Sequence, residues 1–191
     1  MTIGVLAIQG DFAAHVRAIR GIGADALEVR CAAELDQVDA LIIPGGESTT
    51  MMTFIDEENL AQPIIDFASA GHPIFGTCAG AIVLARDVYN PPQASLGLID
   101  IGVERNGYGR QVDSFIAKAD TTLDGGPLEA VFIRAPRITR KGSEVEILAR
   151  CHDEPVLARQ KNILAATFHP ELTDDRRAHQ LLLGMIRTSR S

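Results

Sequence analysis

The sequence predicts an α/β fold: a single-domain, doubly wound (flavodoxin-like) mixed sheet flanked by helices, over residues 1–191. The continuous apolar run at residues 3–8 is typical of a strand buried on both faces of a sheet, and the largely apolar segment at 38–43 predicts a further strand. A helix pattern lies between these runs, and strands that alternate with helices favour the doubly wound arrangement. A chain of 191 residues can bury a sizeable core without disulfides or metals, so one domain suffices.

Each element of the first half follows from a local signal. After the first strand, Asp11 is placed to cap a helix that runs from residue 12 to about residue 20, where glycines end it. After the strand at residues 38–43, Ser48 or Thr49 is expected to cap the next helix. The other features predicted in this half are a strand at 26–30, an acidic break at 56–58, a helix at 63–70 and a short strand at 73–76.

The second half is richer in short β-like segments and is expected to form antiparallel hairpins. The turn sequence Asp-Gly-Gly-Pro at residues 124–127 separates two of them. A last buried strand is predicted at residues 163–168, and the amphipathic pattern at residues 174–187 predicts a closing helix that packs on the core. The remaining predicted strands span residues 96–103, 112–119, 130–133, 145–150 and 155–160.

Composition and charge exclude several function classes. With 18 basic and 25 acidic residues the formal net charge is −7, which argues against a nucleic-acid partner bound through its phosphates. Three widely spaced cysteines, Cys31, Cys78 and Cys151, indicate a reducing compartment and offer no zinc pattern, so we expect no metal and no cofactor. The first residues lack a basic leader, and no apolar run reaches the roughly 20 residues that a membrane span needs. We therefore expect a cytoplasmic protein.

Residues 73–84 combine a short apolar strand, a glycine-flanked cysteine and a helix that begins at once. The pattern Gly-Thr-Cys-Ala-Gly around Cys78 is the thiol version of the nucleophile elbow, in which a sharp strand-to-helix turn presents the reactive atom. Gly76 and Gly80 allow a close backbone approach that a β-carbon would obstruct, and the helix N-terminus favours the thiolate. The pattern alone also fits a buried cysteine in a glycine-rich turn.

A cysteine nucleophile needs a base, and the base needs a group that orients it. Of the five histidines, only His169 follows an apolar strand and has a carboxylate two residues later, that of Glu171. Residues i and i+2 of an extended segment point the same way, so we expect Glu171 to accept a hydrogen bond from His169. In a parallel sheet, the strands that end at Gly76 and Phe168 can present Cys78 and His169 to one crevice.

Several motifs together establish a family resemblance. Gly-Thr-Cys-Ala-Gly at residues 76–80, His-Pro-Glu at 169–171 and Pro-Gly-Gly at 44–46 resemble the motifs of the class I (triad) glutamine amidotransferases. Within that group the sequence is most similar to the glutaminase subunits of the two-component pyridoxal 5′-phosphate synthases, over nearly the whole chain. The longer motifs are Ala-Ile-Gln-Gly at 7–10, Pro-Gly-Gly-Glu-Ser-Thr-Thr-Met at 44–51, Val-Glu-Arg-Asn at 103–106, Gly-Arg-Gln-Val-Asp-Ser-Phe at 109–115 and Phe-Ile-Arg-Ala-Pro at 132–136.

The resemblance implies a reaction and a set of site residues. L-Glutamine would be hydrolysed to L-glutamate and ammonia through a γ-glutamyl thioester on Cys78, with His169 as the base and Glu171 orienting it. The backbone N–H groups of Gly46 and Ala79 would form the oxyanion hole. By the same likeness, the residues that hold the glutamine would be Gly46, Glu47, Ser48, Arg105, Ile133 and Arg134.

The resemblance also implies a partner, because ammonia that reaches water is protonated and lost to the reaction. A synthase subunit would form a hetero-oligomer with this chain, take the ammonia along a protected path and build pyridoxal 5′-phosphate.

Two other functions stay open on the residues themselves. A cysteine hydrolase of esters or thioesters would use the same elbow and would act on simple acyl substrates. A non-catalytic, flavodoxin-like binding module would contain Cys78 incidentally, and its function would survive replacement of that residue.

Overall fold

The structure, a computed structural model, describes residues 1–106 and 114–189 of the chain. No helix in this part of the chain combines the length and apolar character that crossing a bilayer requires. A 3-10 helix at Pro170–Leu172 precedes the last α-helix. The elements in chain order are β1 (Thr2–Leu6), α1 (Phe12–Gly21), β2 (Asp25–Val29), α2 (Ala32–Leu35), β3 (Ala40–Ile43), α3 (Ser48–Glu57), α4 (Ala61–Ser69), β4 (Ile74–Thr77), α5 (Ala79–Leu84), β5 (Ala85–Tyr89), β6 (Ile99–Glu104), β7 (Ser114–Thr121), β8 (Leu128–Ile133), β9 (Arg137–Lys141), β10 (Glu146–Cys151), β11 (Glu154–Gln160), β12 (Ile163–Ala166) and α6 (Arg177–Ser189).

The main sheet confirms the predicted fold class. Its strand order is β2-β1-β3-β4-β12-β11-β10-β7-β8. The pairs from β2 to β12 are parallel, and the pairs from β12 to β8 are antiparallel. A smaller sheet contains β5, β6 and β9. The predicted hairpins of the second half are therefore present, and the turn at residues 124–127 lies between β7 and β8.

Apolar layers cover both faces of the main sheet, because successive residues of a strand point to opposite sides. In β3, Leu41 and Ile43 belong to the layer that includes α3, α4 and α5, whereas Ala40 and Ile42 belong to the layer that includes α1 and α6. The small sheet packs into the first of these layers. Helices on both faces are the defining feature of a doubly wound fold.

The structure corrects several predicted boundaries. The sequence does not predict β5 or β9, because both carry charged residues and neither contains an apolar run. Helix α3 extends to Glu57, so most of the predicted acidic break at 56–58 is helical. Helix α4 begins at Ala61, before the predicted start, and α6 begins at Arg177, after it. Residues 107–113 contain the start of the strand predicted at 112–119 and most of the motif at 109–115; they lie outside the described residues.

Parallel pairing places the ends of β4 and β12 side by side at the carboxyl edge of the sheet. Ala166 pairs with Thr77, and the N–H of Cys78 donates to the carbonyl of Ala166 at 2.8 Å. Beyond β12, the N–H of His169 donates to the carbonyl of Val131 in β8 at 2.8 Å. The backbone therefore holds Cys78 and His169 at one edge of the sheet, where ligands bind in open α/β folds.

Candidate active site

Cys78 occupies a sharp turn between β4 and α5. Its backbone has φ 49° and ψ −105°, a positive φ that is unusual for any residue with a β-carbon. A β-carbon at Gly80 would lie 2.0 Å from the carbonyl oxygen of Ile43, and one at Gly76 would lie 2.5 Å from the carbonyl of Gly80. The two glycines thus let α5 start directly against the strands, which is the close approach that the elbow pattern predicts.

His169 and Glu171 form a buried, hydrogen-bonded pair. Nδ1 of His169 lies 2.7 Å from Oε1 of Glu171, and the carboxylate is fully shielded from solvent. The expectation of an extended segment is wrong, because Pro170–Leu172 form a turn of 3-10 helix. The turn folds the carboxylate back towards the ring, so the contact arises from a tight turn that the proline begins rather than from an alternating strand.

The charge state of His169 reflects its two neighbours. Burial lowers the pKa of His169, but hydrogen bonds to Cys78 and Glu171, together with the negative charges of those groups, raise it to about 10. His169 is therefore an imidazolium at neutral pH. A histidine beside a cysteine is the pairing that cysteine nucleophiles use in catalysis. Sγ of Cys78 also lies 3.9 Å from the carbonyl oxygen of Ile133.

A second layer of polar groups lies behind Glu171, away from Cys78. Nε2 of His15 lies 3.2 Å from Oε2 of Glu171 and 3.1 Å from Oγ1 of Thr77. Nδ1 of His15 lies 3.1 Å from Nε2 of His179. We call His15, Thr77, His179 and Glu171 the buried polar cluster. The sequence does not single out His15 or His179 as site residues; the one available signal is a histidine on the apolar face of each amphipathic helix.

A cavity of about 580 Å³ opens in front of Cys78. Cys78, Ala79 and His169 form its floor, whereas Glu171 lies behind His169 and does not line it. Every residue that the resemblance assigns to glutamine binding or to the oxyanion hole borders this space. They are Gly46, Glu47, Ser48, Ala79, Arg105, Ile133 and Arg134.

Glu47 and Arg105 form an ion pair at the rim of the cavity. Nη2 of Arg105 lies 3.0 Å from Oε1 of Glu47 and 2.9 Å from Oγ1 of Thr49. The carboxylate of Glu47 also accepts from the N–H groups of Thr49 and Thr50, so Glu47, rather than the predicted Ser48 or Thr49, caps α3. Partial burial raises the pKa of Glu47, but the hydrogen bonds from Thr50 and Thr49 outweigh it and lower the pKa to about 2.

The loop that carries Gly45 and Gly46 packs tightly against its neighbours. A β-carbon at Gly45 would lie 2.4 Å from Cε1 of His169, and one at Gly46 would lie 2.3 Å from Oε1 of Gln9. The same Gln9 oxygen accepts from the N–H of Glu47 at 3.2 Å. The loop between β1 and α1 therefore supports the loop between β3 and α3 beside the imidazole. On the far side of the loop, the hydroxyl of Ser48 donates to Gln93 at 2.9 Å.

The remaining wall of the cavity comes from the end of β8. Ile133 is partly exposed there, and Arg134 follows it with φ 44°, a left-handed conformation that turns the chain sharply at the rim. This turn keeps the Ile133 carbonyl near Cys78 and leaves the Arg134 side chain at the opening. Within residues 1–106 and 114–189, no group of three or more histidine, cysteine or acidic side chains is arranged to hold a metal ion.

The chain is similar to known glutamine amidotransferases in both sequence and structure. Residues 5–188 match the profile of the SNO glutamine amidotransferase family. The chain is 50% identical over 187 residues to "Pyridoxal 5′-phosphate synthase subunit PdxT" of Thermosipho africanus, covering 98% of this chain and 100% of that protein. It is 47% identical over 188 residues to the protein of the same name from Bacillus licheniformis, covering 97% and 95%. A crystal structure described as a glutamine amidotransferase superposes with a TM-score of 0.92 at 45% identity, covering 96% of this chain and 98% of that chain.

Proposed function

This chain belongs to the SNO glutamine amidotransferase family, and on that premise we propose that it hydrolyses L-glutamine to L-glutamate and ammonia. The observation that carries the proposal is the meeting of Cys78, His169 and Glu171 at the carboxyl edge of the sheet, beside a cavity large enough for an amino acid. The names of the relatives support a role as the glutaminase subunit of a pyridoxal 5′-phosphate synthase. In that role the ammonia would enter the biosynthesis of vitamin B6.

The first half of the reaction forms a thioester. The thiolate of Cys78 attacks the amide carbon of the glutamine side chain, and the carbonyl π electrons move to the oxygen of a tetrahedral intermediate. The imidazolium of His169 then donates its proton to the amide nitrogen as the C–N bond breaks. Ammonia departs, and the γ-glutamyl group remains on the sulfur. Glu171 holds the imidazole ring in the orientation that makes this proton transfer possible.

The second half releases glutamate. The imidazole of His169, now neutral, takes a proton from water as the water oxygen attacks the thioester carbonyl. Collapse of the second tetrahedral intermediate breaks the C–S bond and restores the thiolate and the imidazolium. In both halves, we propose that the backbone N–H groups of Gly46 and Ala79 stabilise the oxyanion, because both residues border the cavity next to the sulfur. Such a donor typically contributes about 3 kcal/mol to the transition state.

The rim of the cavity supplies charges that suit a free amino acid. The guanidinium of Arg105 or Arg134 is a planar donor for the α-carboxylate, and the ionised carboxylate of Glu47 suits the α-ammonium. Ser48 can use its oxygen lone pairs, because its hydroxyl proton is directed to Gln93. Gly46 and Ile133 border the space for the aliphatic part of the substrate.

We further propose that the chain acts as one domain over residues 1–191, in the cytoplasm, in a hetero-oligomer with a synthase subunit. The need to protect ammonia from water supports the partner, and the relatives are named as subunits. Three cysteine thiols that form no disulfide fit a reducing compartment. The adjacent Gly45 and Gly46 lie in a loop that docking of the partner can reorient, so we expect the partner to raise the glutaminase rate.

The decisive experiment measures glutamate release by the wild-type chain and by Cys78→Ala, each with and without the synthase subunit. We expect glutamine hydrolysis by the wild type, stimulated by the synthase, and none above background by Cys78→Ala. A glutamine analogue with a diazoketone should alkylate Cys78 covalently. Hydrolysis of simple esters or thioesters without any capture by that analogue would instead support the hydrolase alternative. Equal rates for the wild type and Cys78→Ala would overturn the proposal.

A further inference from the structure

The buried polar cluster leads to an inference about His15, which rests on the proposed function. We propose that His15 is a positioning residue for the reaction: its Nε2–H holds Oε2 of Glu171, so that Oε1 faces His169. His15 comes from α1, far along the chain from the residues of the predicted triad, and it does not line the cavity.

The first support is the placement of the Glu171 carboxylate between two imidazole rings. Oε1 lies 2.7 Å from Nδ1 of His169, and Oε2 lies 3.2 Å from Nε2 of His15. Among the described residues, Oε2 is a buried oxygen without an aligned hydrogen bond. Nε2 of His15, at 3.2 Å, lies within hydrogen-bond distance of this oxygen, and the same nitrogen lies 3.1 Å from Oγ1 of Thr77. A buried carboxylate oxygen strongly favours such a donor.

The second support is the tautomer that the surroundings select. Burial lowers the pKa of His15 well below its usual value and the nearby charge of His169 lowers it further, so the ring is neutral and carries one proton. The Glu171 carboxylate can only accept, so a bare Nε2 would place two lone pairs against each other at 3.2 Å. The proton of His15 therefore belongs on Nε2, where it faces both Glu171 and Thr77.

The third support comes from His179, on the other side of His15. If Nε2 of His15 carries the proton, Nδ1 must accept, and Nε2 of His179 at 3.1 Å must donate. The other ring nitrogen of His179 is then a bare acceptor, and Nδ1 of His179 indeed has no hydrogen-bond partner among the described residues. An unpartnered acceptor is better tolerated in the interior than an unpartnered N–H. Burial and the charge of Arg176 lower the pKa of His179 to about 4, so it is neutral as well.

Thr77 connects this cluster to the nucleophile. Its hydroxyl oxygen lies 3.1 Å from Nε2 of His15, and Thr77 immediately precedes Cys78. The same ring nitrogen thus faces both the residue before the nucleophile and the carboxylate that orients the base. Movement of His15 would shift the two halves of the site relative to each other, and a displacement of about 1 Å can lower a rate roughly 100-fold.

The test compares three substitutions of His15 with a control at another histidine. Gln places an N–H close to the position of Nε2, Asn places one close to Nδ1, and Leu supplies neither. We expect His15→Leu and His15→Asn to lower kcat for glutamine by about 10- to 100-fold with little change in KM, and His15→Gln to recover most of the loss. The control is His72→Gln, at a half-buried ring that stacks on Phe67 and lies outside the cluster; its kcat should match the wild type.

A second readout is independent of glutaminase activity. In nitrogen-detected NMR spectra of histidine-labelled protein, His15 should be the neutral Nε2–H tautomer at pH 7. An Nδ1–H tautomer, or equal loss of kcat in the Gln and Leu variants with unchanged thermal stability, would overturn the role of His15. Inactive wild-type protein that still shows the Nε2–H tautomer would instead count against the proposed function and leave the geometry of His15 supported.

Discussion

His169 stands between two regions of the site that are built in different ways. In front of it, the cavity wall consists of loop residues such as Gly46, Glu47 and Arg134, which border open space. Behind it, the buried polar cluster is closed to solvent: the side chains of His15 and Glu171 are both 0% exposed. The cavity wall has to admit a substrate and release two products, whereas the buried polar cluster has to hold Glu171 in a single orientation.

The two regions also differ in how the chain reaches them. The cavity wall uses short contiguous segments that follow β3, β4, β6 and β8, so each segment delivers several groups at once. The buried cluster takes one side chain from α1, one from the end of β4, one from the turn after β12 and one from α6. A wall of this kind tolerates change in single contacts, because neighbouring groups remain. In the buried polar cluster each segment supplies one side chain, so we expect substitution of any one of its members to disturb the cluster.

The largest effect that tests this difference is expected from Glu171→Gln, which removes the charge between the two imidazoles. Without that charge the pKa of His169 falls and the imidazolium is no longer favoured, so kcat should drop by about 10²- to 10⁴-fold. Steady-state kinetics and an NMR titration of His169 measure both consequences. Glu129→Gln, at an exposed ion pair with Lys118, is the control and should behave as wild type. A Glu171→Gln enzyme within tenfold of wild type would remove the distinction between wall and cluster.

A second prediction concerns Gly45, where the cavity wall packs against the imidazole of His169. In Gly45→Ala the new methyl group would lie 2.4 Å from Cε1 of His169 and 3.4 Å from Cβ of Cys78, so the ring has to move. We expect kcat to fall by about 10- to 100-fold, with a smaller change in unfolding free energy. Gly21→Ala is a matched control, because a β-carbon there meets nothing within 4 Å. Unaltered kcat in Gly45→Ala would mean that the loop around residue 45 moves to accommodate the methyl group while the His169 ring stays in place.

The parts of the site that could be predicted from the sequence are those that local patterns encode. The glycines on either side of Cys78 are required because backbone atoms lie a few ångströms away and leave no room for a β-carbon. This requirement is visible in the sequence as the motif Gly-x-Cys-x-Gly. The strands that carry Cys78 and His169 are continuous apolar runs, and parallel pairing of such runs has few alternatives. The fold class and the edge of the sheet that holds the site follow from these two features.

The parts that could not be predicted depend on tertiary packing. His15 lies on the buried face of α1, and nothing in its own helix indicates that Glu171 and His179 meet it there. Glu47 acts as a helix cap although shorter side chains are the preferred caps, because Arg105 and two backbone N–H groups hold its carboxylate. Strands β5 and β9 form because β6 pairs with both of them, and their own residues show little apolar character.

A third prediction tests whether the wall acts in binding rather than in chemistry. Arg105→Gln removes a guanidinium that Glu47 and Thr49 hold at the rim. If Arg105 pairs with the α-carboxylate of glutamine, KM should rise by about tenfold or more while kcat changes much less. Arg86→Gln, at an exposed ion pair with Asp100, serves as the control. A fall in kcat at constant KM would place Arg105 with the chemical step and not with the substrate.

The smallest expected effect is on the free energy of unfolding at acidic pH. It tests whether His179 in the buried polar cluster resists protonation. The pKa of His179 is about 4 in the folded chain, because burial and then the charge of Arg176 lower it, against about 6.5 when unfolded. Between these values the unfolded chain binds the proton and the folded chain does not, so stability is present above pH 6.5 and is lost as the pH falls towards 4. The loss from this one group is about 3 kcal/mol when the pH has fallen below 4. Urea unfolding at pH 7.5 and 4.5 should show a smaller loss in His179→Leu than in the wild type or in His152→Asn, at an exposed histidine. Equal losses of stability in all three proteins would show that His179 has the same pKa in the folded and unfolded chain. The cluster would then be more accessible to solvent than its burial indicates.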